Sequence, residues 1–297
     1  MVGAGRRSGR VTMSTAPTFP LDAAALTAVV RAALEEDRAF ADVTTLATVP
    51  ADRQAGAALV ARTPGVVAGI ALAVEAFRQI DPTVRVEVAV HDGEAVERGT
   101  VVAAIEGPAR AILSAERVAL NFVQRLSGVA TLTARYVAAV QGTRAEIVDT
   151  RKTTPGWRDL EKYAVRCGGG SNHRRDLSDA VLIKDNHLAA CDGDVRIAVA
   201  RAKELAPEGM VVQVECDTLE QVDAALAAGA HGVLLDNMAL DDLRESVRTC
   251  GERCFTEASG GVTLETVRAI AETGVDRISV GALTHSAPAL DLALDFA

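Results

Sequence analysis

Aromatic side chains make up only 3% of the 297 residues, and tryptophan occurs once. Single-stranded nucleic acid is commonly held by stacked aromatics beside a basic groove, and a chain with a formal net charge of -9 offers neither feature broadly. No apolar run is both long enough and free enough of charge to predict a membrane span. The five cysteines, Cys167, Cys191, Cys216, Cys250 and Cys254, are odd in number, scattered and without CxxC spacing. That pattern argues against a disulfide framework or a zinc ribbon and leads us to expect reduced thiols in a cytoplasmic protein. Residues 1–20 lack the apolar stretch of a secretory signal and are rich in Gly, Arg, Ser and Thr. They are expected to form a disordered tail, with Met13 as an internal candidate start.

What is present is a hydrophobic composition of 49%, enough for one large α/β unit or a barrel with a smaller companion domain. Apolar residues recur every three or four positions from Leu21 to Leu34, predicting a helix with Asp22 near its start. Asp42 and Thr44 suit a turn whose backbone amides they satisfy. QAGAALVAR, the helix-like IALAVEAFRQI and the run VRVEVAVHDGEAVERGTVVAAIEG then describe a small α+β domain. Its HDGEAVERGTVVAAIEG portion has the strand, turn and strand grammar of lipoyl or biotinyl modules. No lysine stands at the hairpin tip, so we read this portion as scaffold. Ser114 to Val140 predicts a long helix, with Ser114 as N-cap and Gly128 as a break. Arg117 and Arg125 on it read as solvated side chains.

Beyond residue 140 the rhythm changes. Six apolar runs follow, EIVDT, AVLIKD, MVVQVEC, GVLLDN, CFTEASG and RISVGA, separated in the later part by helix-like segments such as TLEQVDAALAAG. Their sparse polar alternation suits parallel strands buried on both faces. Polar residues gather at the C-terminal ends of these runs: Asp149, Arg151 and Lys152; Lys184, Asp185 and Asn186; Glu215 and Asp217; Asp236 and Asn237; Glu257 and Ser259; Ser279. A βα barrel assembles its active site there. A doubly wound sheet also puts ligands at strand ends, but no GxGxxG turn follows a first strand, and the barrel is preferred.

The chemistry concentrates between Asp149 and His187. Arg151, Lys152, Arg158, Lys162, Arg166, Arg174, Arg175 and Lys184 crowd there with His173 and His187, a reversal of sign that suits a small multiply charged anion. Arg158, Asp159, Glu161 and Lys162 have the spacing of a solvated helix face. Arg151, Lys152 and Lys184 follow apolar runs directly and can hold carboxylates or phosphates. Glu215 and Asp236 can hold sugar hydroxyls, or Mg²⁺ through water. Ser259, Gly260 and Gly261, and then Gly281 and Ala282, let backbone amides approach a phosphate on the last loops. The stretch GGGSN at Gly168–Asn172 has no GK[ST] after it, which excludes a Walker loop and leaves a hinge or tight turn. These residues suggest an enzyme for one anionic aromatic or organic acid and one phosphorylated sugar. A sugar-phosphate sensor without chemistry is the alternative, although so many inward cations exceed its needs.

In SAERVALNFVQRLSGVAT, DTRKTTPGW, EKYAV, GGGSNHR, LIKDNH, EASGG and SVGALTHS, the chain resembles the quinolinate phosphoribosyltransferase family from about Leu26 to its C-terminus. Ala41 and Trp157 depart from the family pattern, which has Gly and Leu there, and neither removes a charge. The resemblance implies an α+β domain of the open-faced sandwich type over residues 21–116, joined by a C-terminal tail, 288–297. It further implies an open α/β barrel over 117–287 and phosphoribosyl transfer to quinolinate with decarboxylation. By residue-to-residue matching, Arg151, His173, Arg174 and Lys184 would hold quinolinate, and Arg117 would enter the site of a partner subunit in a homodimer or higher oligomer. Lys152, Glu215, Asp236, Ser259, Gly260, Gly261, Ser279, Val280, Gly281, Ala282 and His285 would bind phosphoribosyl pyrophosphate. Lys152, Glu215 and Asp236 would act in catalysis, the two acids lying near substrate-borne Mg²⁺.

Overall fold

The structure, a computed structural model, describes residues 17–296. The expected tail up to residue 16 lies outside the described residues. Residues 17–20 are irregular but placed: the Phe19 ring packs edge-on against Tyr163 at 5.3 Å, and Arg166 donates to the Thr18 carbonyl at 3.1 Å.

The first half contains α1 (Ala23–Glu36), α2 (Val43–Thr48), β1 (Gln54–Ala61), β2 (Gly65–Val66), α3 (Ile70–Ile80), β3 (Arg85–Val88), β4 (Ala95–Val96), β5 (Val101–Pro108) and α4 (Ala109–Ala139). Asp22 caps α1 through the Ala25 amide, and Asp42 caps α2 through the Thr45 amide, each carboxylate satisfying an amide that the helix start leaves without a partner. A four-stranded antiparallel sheet has the order β12–β1–β5–β3, its edge strand β12 (Leu292–Phe296) arriving from the far end of the chain. Helix α3 follows the sequence expectation residue for residue.

Helix α4 does not. It starts after Pro108 instead of at Ser114, whose hydroxyl bonds Asp42 at 3.0 Å, and it runs unbroken through Gly128. The glycine serves a close approach: a Cβ there would collide with the Pro288 carbonyl. Helix α4 passes through position 116 and packs on both halves of the molecule, against α3 on one side and α5 (Arg158–Cys167) on the other.

The second half alternates β6 (Glu146–Val148), α5, β7 (Val181–Ile183), α6 (Asp185–Ala189), α7 (Val195–Leu205), β8 (Val212–Cys216), α8 (Leu219–Ala227), β9 (Gly232–Asp236), α9 (Leu240–Cys250), β10 (Phe255–Ser259), α10 (Val267–Ala271), β11 (Arg277–Ser279) and α11 (Ala282–His285). The six predicted runs are these six strands, all parallel, in the order β6–β11–β10–β9–β8–β7. Successive strands are neighbours everywhere except between β6 and β7, which form the two ends of the sheet. The result is an open α/β barrel.

The open seam is lined from within the chain. Gly168–Gly170 end α5 in a tight turn, Ser171 bridges Val148 at the end of β6, and Asn172 and His173 continue onto Asp149.

Candidate active site

Because side chains alternate along a strand, residues two apart share a face. Leu182 and Lys184, Leu234 and Asp236, and Glu257 and Ser259 are such pairs, and all six line one cavity of about 380 Å³ at the C-terminal mouth of the sheet. Arg151 and Lys152 after β6, Ser279 at the end of β11, and His173 and Arg174 from the seam complete its charged and polar wall. The strand order sorts the charge. Arg151, Lys152, His173, Arg174 and Lys184 flank the seam, whereas Glu215 and Asp236 stand on the adjacent central strands β8 and β9.

Several of these groups constrain one another. Lys184 Nζ lies 2.6 Å from Glu215 Oε2, joining a residue expected to hold one substrate to a residue expected to hold the other. Burial, and after it the charge of Arg151, push the Arg174 guanidinium below its ordinary range. A half-buried guanidinium beside a second cation favours the arrival of an anion at this wall. Arg174 Nη1 is aimed by its bond to the Ala180 carbonyl at 3.0 Å.

Asp149 lies beneath the rim. Fully buried, it accepts from Lys162 Nζ at 2.5 Å, from Asn172 Nδ2 at 2.6 Å and from the His173 amide at 2.8 Å. Burial pushes its carboxyl upward, against the pull of Lys162. This pair stitches the end of β6 to the seam. The solvated-face reading of α5 is therefore corrected at Glu161 and Lys162, which are 0% and 4% exposed, while Arg158 and Asp159 stay on the outer side. Arg158 and Lys162, four residues apart, share a face by the 3.6-residue period, so helical spacing does not separate the buried pair from the outer one.

His173 Nδ1 accepts the Arg174 amide at 2.7 Å, so the ring proton sits on Nε2, 3.4 Å from Glu257 Oε2. Glu257 is fully buried, also accepts from Gln213 at 3.1 Å, and keeps its Oε1 without a partner among the described residues. Burial pushes this carboxyl up, yet His173, Gln213 and Ser279 outweigh it and hold the group below its usual range. Sequence reasoning placed Glu257 at a strand end beside Ser259 but gave it no role, and it did not name Thr150, Leu182 or Leu234, which also line the cavity.

None of the remaining expected residues lines this cavity; those on the β10 and β11 loops follow its wall residues Ser259 and Ser279 in the chain. Asn237 and Gly260 both adopt left-handed backbone, and a Cβ on Gly260 would overlap the Asn237 amide, so glycine is required where the β9 and β10 loops meet. Gly261, next to it, is also left-handed. Gly281, just before Ala282, backs onto Lys152 and His285: a Cβ there would stand 3.1 Å from Lys152 Cδ and 3.2 Å from His285 Nε2. His285 is exposed, with Nδ1 2.6 Å from the Ser286 hydroxyl. Val280 is buried and its amide donates to the Val148 carbonyl, so that N–H serves the sheet. Arg117 lies on the exposed side of α4 and is not part of the cavity wall of its own chain.

Known proteins resemble this chain in sequence and fold. Residues 42–127 match the family model "Quinolinate phosphoribosyl transferase, N-terminal domain", and residues 129–295 match "Quinolinate phosphoribosyl transferase, C-terminal domain". A nicotinate-nucleotide pyrophosphorylase [carboxylating] of Mycobacterium leprae is 45% identical over 272 residues, covering 90% of this chain and 95% of the relative. The probable enzyme of that name from Bacillus subtilis is 44% identical over 260 residues, covering 88% and 89%. The solved nicotinate-nucleotide pyrophosphorylase of Francisella tularensis superposes with a TM-score of 0.88 at 37% identity, over 95% of this chain and all of that one. The chain belongs to the quinolinate phosphoribosyltransferase family.

Proposed function

We infer that the protein transfers the phosphoribosyl group of phosphoribosyl pyrophosphate to quinolinate, with decarboxylation, in NAD biosynthesis. The products are nicotinate mononucleotide, pyrophosphate and carbon dioxide. The observation that carries this reading is the division of charge at the mouth. Cations flank the seam, where a dicarboxylate needs them, and acids face them from β8 and β9, where a cationic ribosyl centre needs them.

Arg151, Arg174 and Lys184 bind the two carboxylates, with His173 bracing the turn from which Arg174 projects. The pyridine nitrogen attacks the anomeric carbon as the bond to pyrophosphate breaks. Lys152 meets the charge growing on the departing oxygens, and Glu215 and Asp236 favour the positive charge developing on the ribose. Ser259, Gly260, Gly261, Ser279 and the turn from Val280 to Ala282 hold the phosphates, with His285 at their edge. Once the nitrogen is quaternary, the bond to the neighbouring carboxylate breaks. Its electron pair stays on the ring carbon beside the cationic nitrogen, and that carbon then takes a proton from water.

Among the described residues no cluster of three or more His, Cys, Asp or Glu side chains is arranged to hold a metal ion. Glu215 and Asp236 nevertheless offer the hard oxygens suited to Mg²⁺ that retains water and rides on substrate phosphates. Bound there, Mg²⁺ would neutralise charge on the leaving pyrophosphate. The exposed Arg117, outside its own cavity, fits a homodimer in which it reaches the partner's site. Five free cysteines fit a cytoplasmic setting, and no helix among the described residues is long and apolar enough to cross a membrane.

The test is a product assay with Mg²⁺ and phosphoribosyl pyrophosphate, comparing quinolinate labelled in the carboxylate beside the ring nitrogen with nicotinate. Labelled carbon dioxide and nicotinate mononucleotide are expected from quinolinate alone. Turnover of nicotinate alone would overturn the carboxylate assignments, and inactivity with both would remove the reading.

A further inference from the structure

Arg125, which spacing alone left on a solvated helix face, has no solvated role. Its Nη1 donates to the Ala287 carbonyl at 3.0 Å, and its Nη2 reaches Glu161 Oε1 at 2.7 Å and also donates to the Thr284 carbonyl. Glu161, fully buried, accepts in turn from the Thr154 amide at 2.9 Å and the Thr154 hydroxyl at 2.8 Å. The Thr284 hydroxyl then donates to the Lys152 carbonyl at 2.7 Å. One guanidinium on α4 therefore ties together the loop after β6, which carries Lys152, and the turn after β11, which carries Gly281 and His285.

These two loops are neighbours because β6 pairs with β11. Gly281 lies against the Lys152 side chain, so a shift of either loop moves the lysine. Neither loop contains helix or strand long enough to hold itself rigid: α11 has four residues, and Thr150–Trp157 has none in a regular element. Charge-assisted bonds to a buried carboxylate and to backbone carbonyls supply the missing rigidity.

We propose that Arg125 and Glu161 form an ionic clamp that positions Lys152 and the 281–285 turn for the pyrophosphate of the phosphorylated substrate. Both are positioning residues, since neither lines the cavity. The proposal rests on the reading that Lys152 faces pyrophosphate. It predicts a consequence that a general loss of packing would not have, because quinolinate, although it also meets Arg151 on the clamped loop, is held in addition by Arg174 and Lys184, to which the clamp makes no bond.

The experiment compares Arg125→Met, Arg125→Lys and Thr284→Val with the wild type in the full chain. Arg125→Met is expected to raise the KM for phosphoribosyl pyrophosphate by about tenfold or more while that for quinolinate changes less than about threefold. Arg125→Lys keeps the charge on Glu161 but not the fork to two carbonyls, and should recover part of that loss. Thr284→Val removes the tie to Lys152 and a longer bond to the Gly281 carbonyl within the same turn, at nearly constant volume, and should show the same split more weakly if Arg125→Met does not fold. Equal KM increases for both substrates, or an unchanged phosphoribosyl pyrophosphate KM in Thr284→Val, would overturn the clamp. Calorimetry with Mg²⁺ and inorganic pyrophosphate separates the two levels of inference. Failure of the wild type to bind pyrophosphate would remove the reading of Lys152 itself, and wild-type affinity in the variants would remove the clamp alone.

Discussion

Lys162 and its partner Asp149 are almost wholly buried, and their charges offset each other. Replacing Lys162 by Met would leave the Asp149 carboxylate uncompensated, at a cost of about 3–5 kcal/mol. Denaturant unfolding should show that loss, with Asp149→Asn in the Lys162→Met background recovering part of it; no change in midpoint would contradict the pairing. The cysteines behave differently. Burial pushes the Cys167 and Cys216 thiols up to about 12, so both stay protonated and weakly nucleophilic at neutral pH. Cys250 and Cys254 are buried as well, and Cys191 alone of the five is partly exposed. Native alkylation at pH 8 followed by peptide mass analysis should therefore label Cys191 first, the other four reacting only after denaturation. At this scale the sequence named most of the cavity wall, since Lys184, Glu215, Asp236 and Ser259 sit where strands end. It mistook Arg125, Glu161 and Lys162 for surface groups, because charge and helical spacing do not reveal which face a neighbouring loop will cover.

Helix α4 shows how an element can be correct in type and wrong in its ends. Pro108 at the N-cap leads directly into helix, so the turns before Ser114 needed no separate signal, and the fifteen residues from Ala109 to Val123 carry one continuous apolar stripe. Gly128 weakens helix by about 1 kcal/mol relative to Ala, which makes a break a natural expectation. Tertiary contact reverses its meaning. Gly128→Ala would gain that propensity but drive a methyl into the Pro288 carbonyl, and overpacking of a rigid site costs about 1–3 kcal/mol. A net loss of stability is expected in chemical unfolding, and a more stable variant would show that the 288–291 segment can move aside at little cost. The same helix carries Arg117 on its exposed side. If that side chain completes the partner's site, mixing Arg117→Ala with Lys152→Ala should restore activity, since one of the two sites in each heterodimer is then intact. Verified heterodimers without recovery would sink the shared-site proposal.

At the scale of the molecule, the last strand closes the first sheet. Strand β12 pairs with β1 over five residue pairs, Gln124 donates to the Leu292 carbonyl at 2.6 Å, and Arg62 pairs with Asp295. Removing residues 288–297 would expose the edge of β1 together with Leu59 and Leu120, a template for pairing between chains. The shortened chain is expected to aggregate in light scattering, and a monodisperse product with unchanged melting would contradict that role for β12. By itself, the sequence determined the six parallel strands, because apolar runs with polar ends report burial and side-chain alternation locally. It also determined the family, because ordered motif blocks fix residue types at set spacings. Only the tertiary structure decided which charges are buried, that β6 and β7 leave a seam for His173 and Arg174, and that Arg125 joins two loops 130 residues apart in the chain. Those outcomes depend on contacts between segments distant in sequence, whose positions no local pattern of residues encodes.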